Sequence, residues 1–208
     1  MRIRQAAFLI MLASSLALAG CIGKVKYPTY YALQLAPSAA AQPGSTNQAA
    51  TASIAIREFR SPEYLRRGAI VYRPSPEEIA FYDYHRWATE PPRTITEAVA
   101  DRLRAGGSFT HVKMYDGRSD VDYILTGKLE KLDEIDFQGG VQVEVALSAQ
   151  LTDSRTGKTV WENSASEEAI VDKREVPAVV SAMSQAIDRT IVKLLGSLPS
   201  STEAKNGL

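Results

Sequence analysis

Alternating apolar and polar positions run through much of the chain and predict β-strands. The stretch "TYYALQL" places Tyr31, Leu33 and Leu35 on one side, as a half-buried strand does. Further strands are predicted for "SIAIREF", "AIVYRP", "EIAFYDYHRWA", "THVKMYD" and "VDYILTGKLEKLDEID". The strongest alternation is in "VQVEVALSAQLTD", which is joined through the turn "SRTGK" to "TVWENSASEEAI". These two stretches are therefore predicted to form a long hairpin.

Two other segments have the three- and four-residue apolar spacing of helices. In "PPRTITEAVADRLRAGG", apolar residues recur from Ile95 to Leu103, and Thr94 and Glu97 have the spacing of a capping box. Gly106-Gly107 is expected to end this helix. The second segment, "VPAVVSAMSQAIDRTIVKLLGSL", has the broad apolar stripe of a helix that packs on a sheet. The order predicts an α+β fold, a single domain with a mostly antiparallel sheet and two main helices packed on one face of it.

The N-terminal segment has the pattern of a secretory signal. Arg2 and Arg4 form a positive head, and Ala6 to Ala19 is almost wholly apolar. A run of about 14 residues is too short for a transmembrane helix, which needs about 20. We therefore interpret residues 1–20 as a signal peptide that is removed.

Cys21 is the single cysteine of the 208-residue chain. It cannot form an internal disulfide, and a structural zinc site takes about four ligands. A catalytic thiol needs a neighbouring base or a positive field, and the N-terminal edge of a domain is a poor place for one. Leu18-Ala19-Gly20-Cys21 instead resembles a bacterial lipobox, in which cleavage precedes the cysteine and its thiol takes a diacylglycerol. The alternative is an ordinary signal peptide with an incidental cysteine.

Lipidation at Cys21 would place the protein at a membrane. The new amine is usually acylated as well, for example with palmitate, and more than one chain is needed because a single acyl chain anchors only marginally. Residue 22 is Ile rather than Asp. By resemblance to enterobacterial lipoproteins, this residue points to the outer membrane, with the domain on the periplasmic face.

The composition of the rest of the chain indicates its segments and argues against one class of partner. We expect a lipidated tether over 21–28, an α+β domain over 29–198 with a flexible loop at about 36–52, and a disordered tail over 199–208. The chain has 24 Lys and Arg against 24 Asp and Glu. This balance argues against nucleic acid as a partner, which would require a strongly basic face.

No constellation of residues points to catalysis or metal binding. The two histidines, His85 and His111, lie far apart in sequence and fit no HExxH spacing, and neither a G-x-S-x-G elbow nor a P-loop occurs. The acidic stretch "LEKLDEID" lacks the order of a calcium loop, so its carboxylates are predicted to lie at a solvated strand end. We expect no enzyme, no metal and no cofactor other than the covalent lipid.

An aromatic and arginine-rich stretch, "RSPEYLRRGAIVYRPSPEEIAFYDYHRWATEPP", is the candidate binding surface. Tyrosine, tryptophan and arginine are enriched at the energetic centres of interfaces, and aromatic faces beside guanidinium groups also hold lipid headgroups or phosphates. The alternative is that these aromatic residues only cover the sheet. The candidate partner-binding residues are Tyr64, Arg66, Tyr72, Arg73, Tyr82 and Trp87.

The same stretch resembles the ABC-type transport auxiliary lipoprotein family, which includes the paraquat-inducible protein C-like lipoproteins. The resemblance covers roughly residues 29–196. One departure is Thr89-Glu90-Pro91-Pro92, where the family more usually has a Trp-Ala-Glu-Pro-Leu spacing. The matching motifs are Tyr30-Tyr31-Ala32-Leu33, Tyr64-Leu65-Arg66-Arg67, Ile70-Val71-Tyr72-Arg73, Tyr82, Trp87 and Pro91.

The resemblance implies a non-enzymatic component of a lipid transport system that contributes to membrane integrity. Its relatives work with an ABC transporter ATPase and permease and with a substrate-binding protein of the MCE (mammalian cell entry) type, and their cargo is phospholipid or another apolar molecule. Anchored in the outer membrane, the domain would dock the MCE protein. Two alternatives are a periplasmic lipid-binding carrier and a structural envelope lipoprotein. A homo-oligomer is compatible with a docking role, but no residue of the sequence demonstrates one.

Overall fold

The computed structural model describes residues 26–37, 50–118, 120–137 and 139–199. Within these ranges the chain forms eight strands and two α-helices, with a 3-10 helix over Glu63–Arg67. The strands are β1 (Thr29–Tyr31), β2 (Ser53–Ile56), β3 (Ala69–Arg73), β4 (Ala80–Trp87), β5 (His111–Met114), β6 (Tyr123–Ile135), β7 (Gln142–Asp153) and β8 (Thr159–Ile170), and the helices are α1 (Pro91–Gly106) and α2 (Val176–Leu195).

The sheet is organised around β6, which is paired on both of its edges. On one edge β6 runs antiparallel to β7 over its whole length, and β7 continues into β8. The other edge is shared, because β2 pairs in parallel with the first residues of β6 and β3 pairs in parallel with its last two. Outside these strands, β5 pairs with β2, β4 pairs with β3, and β1 pairs with β4.

The predicted α+β fold is confirmed. Each predicted strand forms at least in part, and the long hairpin is β7 and β8. The strand predicted for "TYYALQL" ends at Tyr31, so Leu33 and Leu35 lie beyond it. The sheet is mixed: the pairings β3–β4, β6–β7 and β7–β8 are antiparallel and include the two longest, whereas the four parallel pairings are short. Most of the backbone ladder is therefore antiparallel.

Both helices pack on the same face of the sheet and enclose one hydrophobic core. Val143, Val145, Leu147 and Leu151 of β7 are each at most 1 % exposed and face α2, whose residues from Val179 to Leu194 supply the other half of the core. The helices also contact each other, since Arg102 Nη2 of α1 lies 3.3 Å from Asp188 Oδ1 of α2.

The start of α1 differs from the prediction. Glu90 precedes the helix without a side-chain cap, and Pro91 and Pro92 occupy its first positions, where a proline costs no hydrogen bond because the first amides have no partner within the helix. Thr94 and Glu97 lie inside the first turns, so the predicted capping box is wrong. The predicted end is confirmed, because Gly107 adopts the left-handed conformation, with φ of 65°.

The segment after β2 crosses β6 so closely that only glycine fits beneath it. The amides of Arg60 and Leu129 bond to Gly127 O and Arg60 O at 3.0 and 2.8 Å. The Phe59 ring lies directly on Gly127, and a Cβ atom built there would fall 2.2 Å from two ring carbons. The buried Thr96 hydroxyl on α1 accepts the Phe59 amide at 2.9 Å, which fixes this crossing to the helix.

Several expectations about organisation lie wholly or partly outside the described residues. These are the signal peptide over 1–20, the lipidated Cys21, most of the loop at 36–52, and the tail, of which Pro199 alone is described. Among the helices that the structure describes, none has both the length and the apolar character that a membrane crossing requires.

Candidate functional site

The six candidate binding residues come from the 3-10 helix, β3 and β4. Arg66 is exposed, whereas Tyr64, Tyr72, Arg73 and Tyr82 are half-buried. Trp87 is 7 % exposed and belongs to the hydrophobic core. Its indole therefore packs in the interior and is not displayed with the others.

The half-buried residues form two clusters on opposite faces of the sheet. Tyr72 and Arg73 are paired with Glu134 and Ile135 of β6, and neighbouring residues of a strand point to opposite faces. Tyr72 and Glu134 therefore lie on the helix-covered face, which Glu134 shares with its other neighbour, Val143. Arg73 lies on the opposite face, as does Asp133. The two clusters meet at the end of the sheet where β3 and β6 finish.

The first cluster is an ion pair around the buried carboxylate of Asp133. The Asp133 side chain is 0 % exposed, and its Oδ2 accepts the Arg73 Nε–H at 2.6 Å. The Tyr64 hydroxyl makes a longer contact of 3.5 Å with the same oxygen. Asp133 Oδ1 is buried and has no hydrogen-bond partner among the described residues. The carboxylate depends on Arg73, because an uncompensated buried charge is strongly destabilising.

The surroundings of Asp133 raise the pKa values of both Tyr64 and Arg73. Burial and the negative charge of Asp133 raise the pKa of the Tyr64 phenol to about 12, so the hydroxyl stays protonated and donates. Burial acts to lower the pKa of Arg73, but the hydrogen bond and the charge of Asp133 outweigh it and the net direction is upward. The cluster is therefore a fixed guanidinium–carboxylate pair with a neutral phenol beside it.

The second cluster joins tyrosines of β3 and β4 to the buried Glu134. The Tyr82 hydroxyl lies 3.0 and 3.2 Å from the two carboxylate oxygens of Glu134. The Tyr72 ring packs on Tyr82 with centroids 4.9 Å apart, and His85 meets Tyr82 edge-on at 5.5 Å. The row continues to β1, because Tyr31 Oη lies 3.0 Å from His85 Nδ1.

Burial dominates the electrostatics of the second cluster. It raises the pKa of Glu134, and the charge of Asp136 adds to this effect, while the Tyr82 hydrogen bond and the charge of Arg174 oppose it. Burial and the charge of Glu134 likewise raise the pKa of Tyr82. The phenol therefore remains a donor to Glu134.

The prediction that the "LEKLDEID" carboxylates lie at a solvated strand end is wrong for two of them. β6 continues to Ile135, and Asp133 and Glu134 are 0 % and 4 % exposed. A register shift between Leu129 and Lys131 displaces the alternation at this point, which hides the buried positions from a simple periodic pattern. The sequence signal that existed was the nearby tyrosines and Arg73, which supply the hydrogen-bond donors that buried carboxylates require.

The arrangement gives little basis for acid–base chemistry. Asp133 and Glu134 are adjacent on one strand and point to opposite faces, so they cannot act together on one substrate. Each is held by its own internal donor, Arg73 or Tyr82. In the part of the chain that the structure describes, no three His, Cys, Asp or Glu side chains converge as a metal site would require.

The segment after β1 crosses the helices and borders a groove. The Gln34 amide donates to Ser184 Oγ at 3.1 Å, and the Ala36 amide donates to Asp188 Oδ2 at 2.8 Å. Between this segment and α1 lies an open groove of about 260 Å³ whose helix wall includes Thr94, Glu97 and Asp101. Its other lining residues include the apolar Leu33, Leu35 and Ala98, so polar and apolar side chains are mixed in the groove.

A family model described as "ABC-type transport auxiliary lipoprotein component" matches residues 31–194. Among solved structures, a protein from Xanthomonas campestris has a TM-score of 0.74 at 17 % identity, over 86 % of this chain and 99 % of that one. A further solved structure, of an uncharacterized protein, has a TM-score of 0.62 at 14 % identity, over 83 % of this chain and 99 % of that one. At these identities the likeness shows the fold.

More distant structures do not bear on assembly or function. PelC from Paraburkholderia phytofirmans, crystallised as a dodecamer, has a TM-score of 0.45 at 17 % identity, over 76 % of this chain and 90 % of that one. No curated protein matches the sequence.

Proposed function

The chain belongs to the family of ABC-type transport auxiliary lipoprotein components, and from this premise we propose that it docks an MCE protein of a lipid transport system at the outer membrane. Cys21 would carry the lipid anchor, and the folded domain would stand on the periplasmic face. The observation that carries this proposal is the family match over residues 31–194, nearly the whole folded domain. The lipobox-like Leu18-Ala19-Gly20-Cys21 agrees with it.

A docking role fits the internal chemistry of the domain. The buried carboxylates Asp133 and Glu134 are bonded to Arg73 and Tyr82 and stabilise the end of the sheet. Such fixed pairs hold shape, and their separation on two faces argues against a shared reaction centre. The domain therefore acts without catalysis in this proposal, as a tethered binding module whose anchor raises its effective concentration for a partner at the same membrane.

We place the docking surface at the end of the sheet where the two clusters meet. Tyr64 and Arg73 present their exposed parts on one face, Tyr72 and Tyr82 on the other, and Arg66 lies beside them on the 3-10 helix. A partner that covers this end can contact all five side chains. The half-buried aromatic rings are already ordered by internal contacts, so docking costs little side-chain entropy. Trp87 supports this surface from the core.

The test is a crosslinking pull-down of the full-length lipoprotein from mildly solubilised membranes, with bound proteins and bound lipids both identified. We compare the wild type with a Tyr72→Ala/Arg66→Ala variant. The control is Tyr115→Ala, whose ring stacks under Arg57 and lies outside this surface. Thermal unfolding checks that each variant folds.

Three outcomes separate the alternatives. Recovery of an MCE protein that falls in the Tyr72→Ala/Arg66→Ala variant and persists in the control supports the docking role and its location. Recovery of an MCE protein equally in all variants keeps the role and refutes the surface. Recovery of lipid without any transporter component replaces docking with the carrier function.

A further inference from the structure

A second surface lies at the opposite margin of the sheet from β8, at the edge formed by β1 and β4. We call it the anchor-side patch, because the described chain begins there, at Lys26. Its cations stand among tyrosines that the core does not cover. The anchor-side patch consists of Lys26, Tyr27, Tyr30, Arg67, Tyr84 and Arg86.

The patch is contiguous. Lys26 Nζ lies 4.4 Å from the centre of the Tyr84 ring. Tyr30 is paired with Arg86 in the parallel β1–β4 ladder. Arg86 Nη1 in turn reaches the Arg67 carbonyl at 3.5 Å. Arg86 therefore lies beside the backbone of Arg67, whose guanidinium carbon lies 4.9 Å from the centre of the Phe81 ring.

The aromatic part of the patch is unusually exposed. Tyr27, Tyr30 and Tyr84 are 79 %, 61 % and 38 % exposed and are three of the six large hydrophobic residues that the structure leaves open among its described residues. Three such tyrosines within one edge are not explained by the packing of the sheet. Tyrosine combines an apolar ring with a polar hydroxyl and is enriched at membrane–water interfaces for that reason.

The positive charge of the patch is also uncompensated. Within the described ranges, Lys26, Arg67 and Arg86 make no ion pair, whereas the neighbouring Arg66 is paired with Glu63 at 3.2 Å. Asp83 is the one acidic residue of β4. Unpaired cations beside exposed tyrosines are complementary to an anionic, partly apolar surface.

The length of chain outside the structure identifies which surface that is. Four residues lie between Cys21 and Lys26, so five Cα-to-Cα steps join them. A fully extended chain spans at most about 3.5 Å per residue, so the backbone of Lys26 lies within about 17 Å of the lipidated cysteine. The anchor therefore keeps this edge of the domain near the headgroups.

We propose that the anchor-side patch rests on the membrane that holds the lipid anchor and binds anionic phospholipid headgroups through its cations, with its tyrosines at the interface. This inference rests on the proposed lipidation of Cys21. It fixes the orientation of the domain: the β1–β4 edge faces the bilayer, and the β7–β8 turn points away from it. That turn lies near the Tyr123 end of β6, whereas β3 joins β6 at the Ile135 end.

The experiment measures which part of the full-length lipoprotein touches the bilayer. Acylation occupies Cys21, so an introduced cysteine can be labelled alone with a fluorophore. One label replaces the exposed Thr29 on β1, and the other replaces Lys158 in the β7–β8 turn. Through the strand registers, Thr29 lies near the level of Leu132 and Lys158 near that of Tyr123, so about nine residues of β6, or about 30 Å, separate the two labels along the sheet. The protein is reconstituted into vesicles of phosphatidylcholine, with or without phosphatidylglycerol, that carry a headgroup quencher.

We expect quenching at the Thr29 label and little at the Lys158 label when phosphatidylglycerol is present. Lys26→Ala/Arg67→Ala should reduce the ratio of docked to undocked molecules by about fivefold for each cation removed. The matched control, Arg93→Ala/Arg155→Ala, removes two exposed arginines elsewhere and should leave the quenching unchanged.

Vesicle flotation separates failure of this inference from failure of the proposed function. A wild-type protein that does not float lacks the anchor, which overturns both. A protein that floats but shows equal quenching at the two labels overturns the inference alone. Quenching at the Thr29 label that is the same with and without phosphatidylglycerol, or the same in the wild type and the Lys26→Ala/Arg67→Ala variant, refutes the binding of anionic headgroups. Crosslinking of the Thr29 position to a protein, without quenching, assigns the patch to a protein partner and also overturns the inference.

Discussion

Arg73→Met tests the role of the ion pair beneath the docking surface. The substitution keeps most of the aliphatic length of the side chain but removes the cation that lies 2.6 Å from Asp133 Oδ2. Asp133 is 0 % exposed and one of its oxygens already lacks a partner among the described residues. The variant would therefore hold a buried carboxylate without a counter-charge.

The expected cost is about 3 kcal/mol in the free energy of unfolding. Removing one partner of a buried pair costs about 3 to 5 kcal/mol. The Arg73 side chain is 19 % exposed, so some water already reaches the pair, and the lower end of the range applies. Adding Asp133→Asn to Arg73→Met removes the stranded charge and should recover most of the loss. Arg93→Met breaks an exposed pair with Glu97 and should cost less than about 0.5 kcal/mol.

Urea unfolding of the mature chain with Cys21→Ser, followed by tryptophan fluorescence, measures these differences. Trp87 is buried, so its emission reports loss of the core. A loss below about 1 kcal/mol for Arg73→Met, or no recovery on adding Asp133→Asn, would show that Asp133 does not depend on the Arg73 cation.

Three further substitutions test other features of the structure. Gly127→Ala would place a Cβ atom 2.2 Å from the Phe59 ring and should destabilise the domain by about 1 to 3 kcal/mol in urea unfolding, whereas Gly140→Ala, with open space around it, should not; equal stabilities would contradict the close crossing. Burial raises the pKa of Glu134 in the native state above the value of 4.5 expected in the unfolded state, so the native state keeps this proton at a pH where the unfolded state has lost it. The free energy of unfolding of the wild type should therefore fall relative to that of Glu134→Gln as the pH rises from below 4.5 through the raised pKa. A stability difference between these two proteins that stays constant over that range would refute the role of burial. Cys21→Ser should abolish incorporation of labelled palmitate and shift the protein from the membrane to the soluble fraction, and retention in membranes without label would reject the lipobox.

The sequence predicted the elements because their periodicity is local. The alternation of β7 and the apolar stripe of α2 persist over more than ten residues each, so the strand and helix could be assigned without knowledge of their neighbours. The capping box failed because Pro91 and Pro92 start the helix earlier than Thr94. At a helix start, residues that fit the first turn compete with those that cap it, and spacing alone does not decide between them.

The division of the candidate surface could not be predicted, because it depends on pairing between distant strands. Arg73 and Glu134 lie on opposite faces because of the short parallel register of β3 with β6. A shift of this register by one residue would pair Arg73 with Glu134 and place both on the same face. The parallel pairings link strands far apart in sequence and leave no local signal. Trp87 could not be assigned from the sequence either. Tryptophan is a residue type typical of interfaces, and only the packing of Trp87 in the core shows that it is buried.

The way the tether enters the fold determines how the domain withstands tension. β1 runs parallel to β4, so a pull on the N-terminus directed along β1 shears its backbone hydrogen bonds together instead of opening them one after another. Beyond β1, the bonds from the Gln34 and Ala36 amides to α2 resist the same displacement. Force applied to the N-terminus is thereby spread over a strand and a helix. If Cys21 carries the proposed lipid anchor, a domain pulled through this tether can remain folded even though its first strand is only three residues long.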